Sequence, residues 1–301
     1  MTQKRLFGIV CANITPMDAK GDLDLASLKK LVDHMAVGGI HGVYPTGTNG
    51  EGLLLTKEEQ HAVAKATVDA NAGRMSAFVQ CATMRWEDTM ENVDYACSIG
   101  AHGVGVMTPT FFSADDAALE AYYTEACRAA GEKPVYVYNI PQCTGNDVNP
   151  ALFGRIIDQN PNAVGIKYSQ SNIPRIRDYL YAPKSRRPDV LIGADKLIVS
   201  VMAAGGTGEV SGPAAVLPKL YSETYNAFVR GELGKAQELQ GRIIQWSDMI
   251  ASVPQIPAIK AMLKMMGIIE TDSCRLPLRK LRLEEYRLLE QSLNYIENGR
   301  I

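Results

Sequence analysis

The sequence predicts an α/β fold, namely a (β/α)8 TIM barrel with a C-terminal helical extension. Short apolar runs alternate with longer segments of helical periodicity, and eight such pairs follow one another at a spacing of roughly 25–35 residues. The short runs are continuously apolar, as expected for parallel strands that are buried on both faces. A chain of 301 residues suits one barrel of this kind.

Four strand–helix pairs are predicted in the first part of the chain. The second helix begins with Thr56 and carries Glu59 three residues later, which is the spacing of a capping box. The first helix ends at a Gly-Gly stop. The strands are predicted over 6–16, 42–48, 76–83 and 103–110, and the helices over 23–39, 56–73, 86–99 and 114–130.

The second part of the chain supplies four more strands and then only helices. No G-x-G-x-x-G follows the first strand, which counts against the rival fold, a doubly wound dinucleotide-binding sheet. We predict a barrel over 1–213 and a helical extension over 214–301 that packs on the barrel. The remaining strands are predicted over 134–141, 163–169, 190–195 and 207–212, and the helices between them over 149–158, 173–181 and 196–204.

Composition and charge exclude several classes of function. A net charge of −2 and a pI near 6.1 give no electrostatic reason to expect nucleic acid or an anionic membrane as a partner. The sequence has no apolar run approaching the ~20 residues of a membrane span, and no signal-peptide pattern. Six cysteines without a C-x-x-C pair and four histidines without ligand spacing predict neither a disulfide framework nor a metal site. These features predict a cytoplasmic protein.

Lys167 ends the sixth predicted strand, and in a parallel barrel the reactive groups gather at the carboxyl ends of the strands. Burial there removes water from the amine and favours its uncharged form, which attacks carbonyl carbons to give a Schiff base. The resulting iminium accepts electrons while an adjacent C–C bond breaks or forms. The alternative is a lysine that extends its charge to the rim of the barrel.

Two further strand ends carry groups that suit the same chemistry. Tyr138 ends the fifth strand, and its hydroxyl is placed to carry protons, unless it is a core tyrosine with a satisfied hydroxyl. Gly47, Thr48 and Asn49 follow the second strand and offer N–H groups, a hydroxyl and an amide to a carboxylate, although a plain turn has the same composition. Glu51 is expected to support this loop rather than to take part in the chemistry.

Taken together, these residues resemble the N-acetylneuraminate lyase / dihydrodipicolinate synthase family of class I, Schiff-base-forming pyruvate aldolases. The resemblance covers essentially the whole chain. It implies a barrel with C-terminal helices, a small-molecule 2-oxo acid substrate, no metal or organic cofactor besides the covalent substrate imine on Lys167, and a homotetramer built as a dimer of dimers. The motifs that carry it are "ITPMDAKGDLDLASLKKLVDHMAVGGIHGVYPTGTNGEG", "YNIP", "GIK" and "GGTGEVSG".

Two positions depart from the pattern of dihydrodipicolinate synthases. Cys143 stands five residues after Tyr138, where those enzymes carry an arginine that binds the carboxylate of the second substrate. Phe111 and Phe112 stand where they have a tyrosine that completes a proton relay, which leaves Thr110 or water to replace it. Both departures count against that activity.

Other positions point to lyases and aldolases. Asp195 keeps half of the Asp-Glu pair with which neuraminate lyases hold sugar hydroxyls, but Lys196 follows it. That lysine either favours a second acid group or a phosphate on the substrate, or is simply solvated. Asn49 and Ser169 resemble the corresponding residues of 4-hydroxy-2-oxoglutarate aldolases.

We therefore predict a class I lyase or aldolase that converts a 4-hydroxy-2-oxo acid to pyruvate and an aldehyde, or the reverse, similar to N-acetylneuraminate lyase or hydroxy-oxoglutarate aldolase. The alternatives are a dihydrodipicolinate synthase, a 2-keto-3-deoxy acid dehydratase, a phosphate-binding barrel enzyme and a non-catalytic barrel that binds a 2-oxo acid. The predicted catalytic residues are Lys167, Tyr138 and Thr48, and the predicted substrate-binding residues are Gly47, Asn49, Cys143, Ser169, Gly193, Asp195 and Val210.

Overall fold

A closed barrel of eight parallel strands, in the order of the sequence, forms the centre of the protein. The structure is a computed structural model, and it describes residues 4–297. The barrel confirms the predicted (β/α)8 fold. Its strands are β1 (Gly8–Cys11), β2 (Gly42–Val43), β3 (Ser76–Gln80), β4 (Gly103–Met107), β5 (Val135–Asn139), β6 (Ala163–Tyr168), β7 (Asp189–Ile192) and β8 (Gly208–Ser211).

Helices surround the barrel and continue after its last strand. They are α1 (Leu25–Val37), α2 (Lys57–Asn71), α3 (Trp86–Ser98), α4 (Asp116–Ala129), α5 (Pro141–Thr144), α6 (Pro150–Gln159), α7 (Ile173–Tyr181), α8 (Ile198–Ala203), α9 (Pro218–Val229), α10 (Leu233–Met249), α11 (Gln255–Met265) and α12 (Leu283–Glu297). Helix α9 contacts β1 and α8, α10 packs on α9, and α11 packs on α12. The division of the chain at residue 213 stays a prediction. Within the described residues, no helix is both long and apolar enough to cross a membrane.

The sheet is shorter than predicted at its first two strands. The second strand ends at Val43 rather than at 48, because Pro45 has no N–H for the ladder and Thr46 adopts a left-handed φ of 60°. The first strand likewise ends at Cys11 rather than at 16. The short helix α5 is absent from the sequence-based prediction, although Pro141 at its first position favours a helix start.

The predicted capping box fixes the start of α2. The hydroxyl of Thr56 accepts a hydrogen bond from Glu59 N (3.2 Å), and the carboxylate of Glu59 accepts one from Thr56 N (2.9 Å). Helix α2 therefore begins at a defined point, a few residues after the loop that follows β2.

Strand register places the two central residues side by side. Tyr138 of β5 pairs with Lys167 of β6, and residues paired in this way point to the same side of a sheet. Every residue of β5 and β6 is buried. The two strand ends thus deliver a phenol and an amine to the same part of the barrel interior.

Candidate active site

A cavity of about 320 Å³ opens at the carboxyl ends of the barrel strands. It brings together all but one of the residues predicted for the site, namely Thr48, Asn49, Tyr138, Cys143, Lys167, Ser169, Gly193, Asp195 and Val210. The exception is Gly47, which lines an adjoining cavity of about 240 Å³. The two cavities share wall residues, among them Thr48 and Cys143, so Gly47 lies beside the same space.

The amine of Lys167 is shielded from water by aromatic rings. The residue is 3% exposed. Its Nζ lies 3.8 Å from the ring centroid of Tyr138 and 5.0 Å from that of Tyr44. Aromatic faces stabilise a cation that has lost its water, so this surrounding suits both an amine and a positively charged iminium.

Two hydroxyls lie in contact beside this amine. The phenol of Tyr138, a residue that is 2% exposed, forms a hydrogen bond of 3.0 Å with Thr48 Oγ1. Because Thr48 is exposed to solvent, the pair offers a route for a proton between the barrel interior and water. Burial raises the pKa of the Tyr44 phenol well above its ordinary value, and the neighbouring Tyr138 adds to this, so Tyr44 contributes a neutral ring.

The loop that follows β2, residues 44–52, is called the anion loop below. Thr46 and Glu51 hold left-handed backbone conformations with φ of 60° and 56°, and Glu51 N donates to Thr48 O (3.1 Å). Within the described part of the chain, no backbone carbonyl accepts a hydrogen bond from the N–H groups of Thr48 and Asn49. N–H groups grouped in this way beside a hydroxyl form a nest that suits a carboxylate.

Two glycines let polar side chains lie close to the cavity wall. A Cβ on Gly193 would lie 2.4 Å from Ser169 Oγ, and one on Gly212 would lie 2.6 Å from the amide of Asn49. A larger residue at either position would displace one of these polar groups. Gly193 has no side chain, so its contribution is the space that it leaves for Ser169 at the cavity wall.

Asp195 lines the cavity, but one oxygen of its carboxylate is already engaged. Its Oδ1 accepts hydrogen bonds from the hydroxyls of Tyr221 (2.9 Å) and Ser211. Burial raises the pKa of this carboxyl, although the two hydroxyls offset part of the rise. Lys196 pairs with Asp248 and does not line the cavity, so its charge is neutralised away from the substrate space.

A second acid, Glu209 on β8, lies near Asp195. Its neighbour Val210 faces the cavity, so Glu209 faces the opposite side of the sheet, toward the helices. It is fully buried, and neither carboxyl oxygen has a hydrogen-bond partner within residues 4–297. Burial raises the pKa of Glu209 well above its ordinary value, and Asp195 raises it further. The folded protein therefore favours the neutral acid at this position.

Sequence reasoning misses the part of the cavity that comes from outside the barrel strands. Gln255 and Ile256 of α11, and Leu278 in the segment before α12, reach the cavity from the C-terminal helices. Gln142 of α5 reaches it as well. No local pattern distinguishes these residues from other loop residues. Tyr44 carries a usable signal, because it is an aromatic residue at the start of the anion loop.

The loop after β4 presents two exposed aromatic rings, Phe111 (81% exposed) and Phe112 (71% exposed). Neither ring carries a hydroxyl, so within this chain the hydroxyl partner of Tyr138 is Thr48. Thr110, the replacement considered from the sequence, lines only the adjoining cavity.

Comparison with known proteins identifies the family. The sequence profile of the Dihydrodipicolinate synthetase family matches residues 5–296. The chain belongs to this family. Its recognition from the sequence is thereby confirmed.

Relatives within the family carry different activities in their names. The chain is 32% identical to a 4-hydroxy-tetrahydrodipicolinate synthase of Cereibacter sphaeroides, over 90% of this chain and 92% of that protein. It is 28% identical to the N-acetylneuraminate lyase of Rattus norvegicus, over 98% of this chain and 94% of that protein. A crystal structure of YagE, a prophage protein of the dihydrodipicolinic acid synthase family from E. coli K12 in complex with pyruvate, has a TM-score of 0.92 and 25% identity, covering 97% of this chain and 98% of that chain.

Family membership fixes the class of chemistry. Members are class I aldolases of the Schiff-base type that act on small molecules and need no metal cofactor, so this protein is an enzyme of the lyase class. Among the described residues, no group of three or more His, Cys, Asp or Glu side chains could hold a metal ion. Because the relatives include a synthase and a lyase, membership does not select the substrate.

Proposed function

We propose that this protein cleaves, or forms, a 4-hydroxy-2-oxo acid with an uncharged polyhydroxyl tail, giving pyruvate and an aldehyde through a Schiff base on Lys167. The observation that carries the proposal is the shielded amine of Lys167, 3.8 Å from the Tyr138 ring centroid, in a cavity that also holds the hydrogen bond between Tyr138 and Thr48. A 3-deoxy sugar acid or a sialic acid meets this description.

The first step uses the anion loop and the amine. The N–H groups of Thr48 and Asn49 and the Thr48 hydroxyl hold the C1 carboxylate of the substrate, with C2 directed to Nζ of Lys167. The uncharged amine adds to the C2 carbonyl, and loss of water leaves an iminium. The rings of Tyr44 and Tyr138 then stabilise its positive charge.

The second step breaks the bond between C3 and C4. The phenol oxygen of Tyr138 takes the proton of the C4 hydroxyl while its own proton passes toward Thr48 and solvent. The electrons of the C3–C4 bond move into the iminium and give an enamine, and C4 leaves as the aldehyde carbon. Protonation of the enamine at C3 and hydrolysis release pyruvate and restore the amine.

The distal wall of the cavity supports an uncharged tail. Its polar groups are the amides of Gln142 and Gln255, the hydroxyl of Ser169, the thiol of Cys143 and the carboxyl group of Asp195. Among the described residues that line the cavity, Lys167 is the one cation. A second carboxylate or a phosphate would lose water there without gaining a charged partner, whereas sugar hydroxyls exchange water for neutral donors and acceptors.

Reduction with borohydride in the presence of pyruvate tests the Schiff base. We expect a reduced pyruvate adduct on Lys167, located by peptide mass spectrometry. A folded enzyme that gives no adduct, or an adduct on another lysine, contradicts the proposed mechanism.

A panel of 2-oxo-3-deoxy acids tests the tail. We expect kcat/KM for pyruvate release to be at least about tenfold higher for acids with a neutral polyhydroxyl tail than for acids of equal length that end in a carboxylate or a phosphate. The opposite order contradicts the assignment of the tail and leaves the Schiff-base mechanism intact.

A second candidate, the condensation of pyruvate with aspartate semialdehyde, is favoured by the 32% identity to a protein named 4-hydroxy-tetrahydrodipicolinate synthase. Against it, Cys143 presents an exposed thiol that offers no bidentate partner to a carboxylate. A coupled assay with both substrates separates the two functions. A dehydratase is recognised from the same panel, because it releases no pyruvate.

Two further expectations concern the protein rather than its site. Members of the family are often oligomeric, and we propose a homotetramer, which sedimentation analysis measures directly. The cytoplasmic location stays a prediction from the sequence.

A further inference from the structure

Among the ion pairs of the described residues, the pair between Lys260 and Glu51 is the one with both side chains fully buried, at 0% exposure each. Lys260 lies in the apolar helix α11. Its ammonium donates to Glu51 Oε1 and to the carbonyl oxygen of Ser273 (2.7 Å). The pair therefore joins the anion loop to the C-terminal helices.

Stability alone is a weak reason for such a pair. Removing two ions from water costs more than their attraction commonly returns, and apolar residues of similar volume often replace a buried pair without loss of stability. Removing one partner, by contrast, leaves an uncompensated buried charge. The pair is therefore better explained by the segments that it holds in place than by the stability that it adds.

The pair anchors a residue in a strained backbone conformation. Glu51 is a non-glycine residue with φ of 56°, and conformations of this kind persist only where the surroundings enforce them. The turn around it is compact, because a Cβ on Gly52 would lie 1.8 Å from Thr46 O. Glu51 N also donates to Thr48 O, so the position of Glu51 affects the residue that contacts Tyr138.

The second oxygen of Glu51 reaches another part of the cavity wall. Its Oε2 accepts a hydrogen bond from Arg275 N (2.8 Å). The guanidinium of Arg275 binds both carboxylate oxygens of Glu59, at 2.5 Å each. Leu278, three residues later, lines both cavities. One carboxylate thus connects the anion loop with helix α11 and with the segment that leads to Leu278.

We propose that Lys260 and Glu51 are positioning residues for the carboxylate of the substrate. Their ion pair holds the anion loop in the conformation that directs the N–H groups of Thr48 and Asn49 to this carboxylate, and it keeps the segment 273–278 over the cavity. Neither residue touches the substrate. This inference rests on the proposed function, because it assumes that the loop binds the carboxylate of a 2-oxo acid.

Charge-neutral and charge-conserving variants separate positioning from stability. The double variant Glu51→Gln/Lys260→Met removes both charges together and leaves no unpaired ion. The variant Glu51→Asp keeps the charge but shortens the side chain by one methylene. For each, we measure the pyruvate concentration that gives half-maximal borohydride trapping at Lys167, the maximal extent of trapping, and the midpoint of thermal unfolding.

We expect both variants to fold, with a half-saturating pyruvate concentration raised at least about tenfold and a maximal extent of trapping within about twofold of the wild type. A positioning role predicts this separation, because the loop loses its fixed geometry while the Lys167 amine is unchanged. A merely structural role predicts a lower unfolding midpoint with unchanged half-saturation.

A matched control is the pair between Lys30 and Glu270, which also joins the barrel to the C-terminal segment, at 2.7 Å, but lies on the surface. The double variant Glu270→Gln/Lys30→Met should leave half-saturation within about twofold of the wild type, because exposed pairs contribute little. Unchanged half-saturation in either folded Glu51 variant overturns the positioning role alone. A wild-type enzyme that traps no pyruvate overturns the proposed function, and the positioning role with it.

Discussion

The two ends of the cavity are built from different parts of the chain. At the proximal end, Lys167 and Tyr138 lie on paired, fully buried strands, and Tyr138 contacts Thr48 of the anion loop. At the distal end, Gln142 and Gln255 lie on a short helix and on a C-terminal helix, and both are exposed.

The barrel strands and the segments beyond them contribute different kinds of groups to the cavity. The barrel strands hold the reacting groups rigidly, since each of their neighbours is itself fixed by the sheet. The segments beyond the strands supply the polar groups of the distal wall, where exposed side chains tolerate change. Under the proposed function, the barrel strands carry the Schiff-base lysine and the phenol, and the outlying segments carry the groups that contact the tail of the substrate.

Replacing Lys167 has the largest expected effect. We expect Lys167→Met to lower kcat for pyruvate release by at least about 10⁴-fold, because no other group replaces the nucleophile, and to abolish the borohydride-trapped adduct. The control is Lys196→Met, which removes a lysine that pairs with Asp248 outside the cavity and should leave kcat unchanged. Substantial turnover by a folded Lys167→Met enzyme would show that Lys167 is not the nucleophile.

Replacing Tyr138 separates proton transfer from amine chemistry. We expect Tyr138→Phe to lower kcat by about 10²–10⁴-fold, the usual range for loss of a general acid–base group, while pyruvate still gives an adduct because the ring remains beside Nζ. The control is Tyr44→Phe, since the Tyr44 hydroxyl is buried without a hydrogen-bond partner among the described residues. Steady-state assays should show a small decrease in kcat for Tyr44→Phe. Equal decreases in kcat for both variants would contradict proton transfer through the Tyr138 hydroxyl.

The proximal end is the part of the site that the sequence predicts well. Lys167 and Tyr138 each end an apolar run, and in a parallel barrel that position alone places a side chain at the catalytic face. The pairing of neighbouring strands then places the two side chains next to each other, so no long-range contact has to be predicted. The alternation of strands and helices predicts the barrel for the same reason, because both signals are local in the sequence.

The distal end lacks such a local signal. Gln255 reaches the cavity only because α11 packs across the barrel end, and long-range packing leaves no mark in the residues around it. The same limit applies to Lys260, whose partner Glu51 is more than 200 residues away. The predicted extent of β2 is wrong for a reason that is local in the sequence, because Pro45 and Thr46 turn the chain out of the sheet directly after Val43.

Substitutions at the distal end should change selectivity without changing the chemistry. We expect Gln255→Ala and Gln142→Ala each to lower kcat/KM for a polyhydroxyl substrate by about 3–10-fold, the worth of one neutral hydrogen bond. Trapping of pyruvate, which has no tail, should stay at the wild-type level. An equal loss for pyruvate trapping would show that the two ends of the cavity do not act separately.

The smallest effect on activity is expected at Glu209, which faces away from the cavity. A folded-state pKa well above the ordinary value of 4.5 means that the folded protein holds this proton more tightly than the unfolded chain does. Stability is therefore lost as the pH rises from 4.5 toward the folded-state pKa. The neutral variant Glu209→Gln escapes this loss.

We expect Glu209→Gln to raise the free energy of unfolding by about 1–3 kcal/mol at pH 8, with a smaller gain near pH 5, measured by urea denaturation at both values. The control Glu290→Gln changes an exposed glutamate of α12 and should give no pH-dependent gain. Because Glu209 lies behind Val210 and away from Lys167, kcat should stay within about twofold of the wild type. A gain that falls with rising pH would mean that the buried carboxyl is ionised and stabilised by a partner, which would place a charge directly behind the proximal wall.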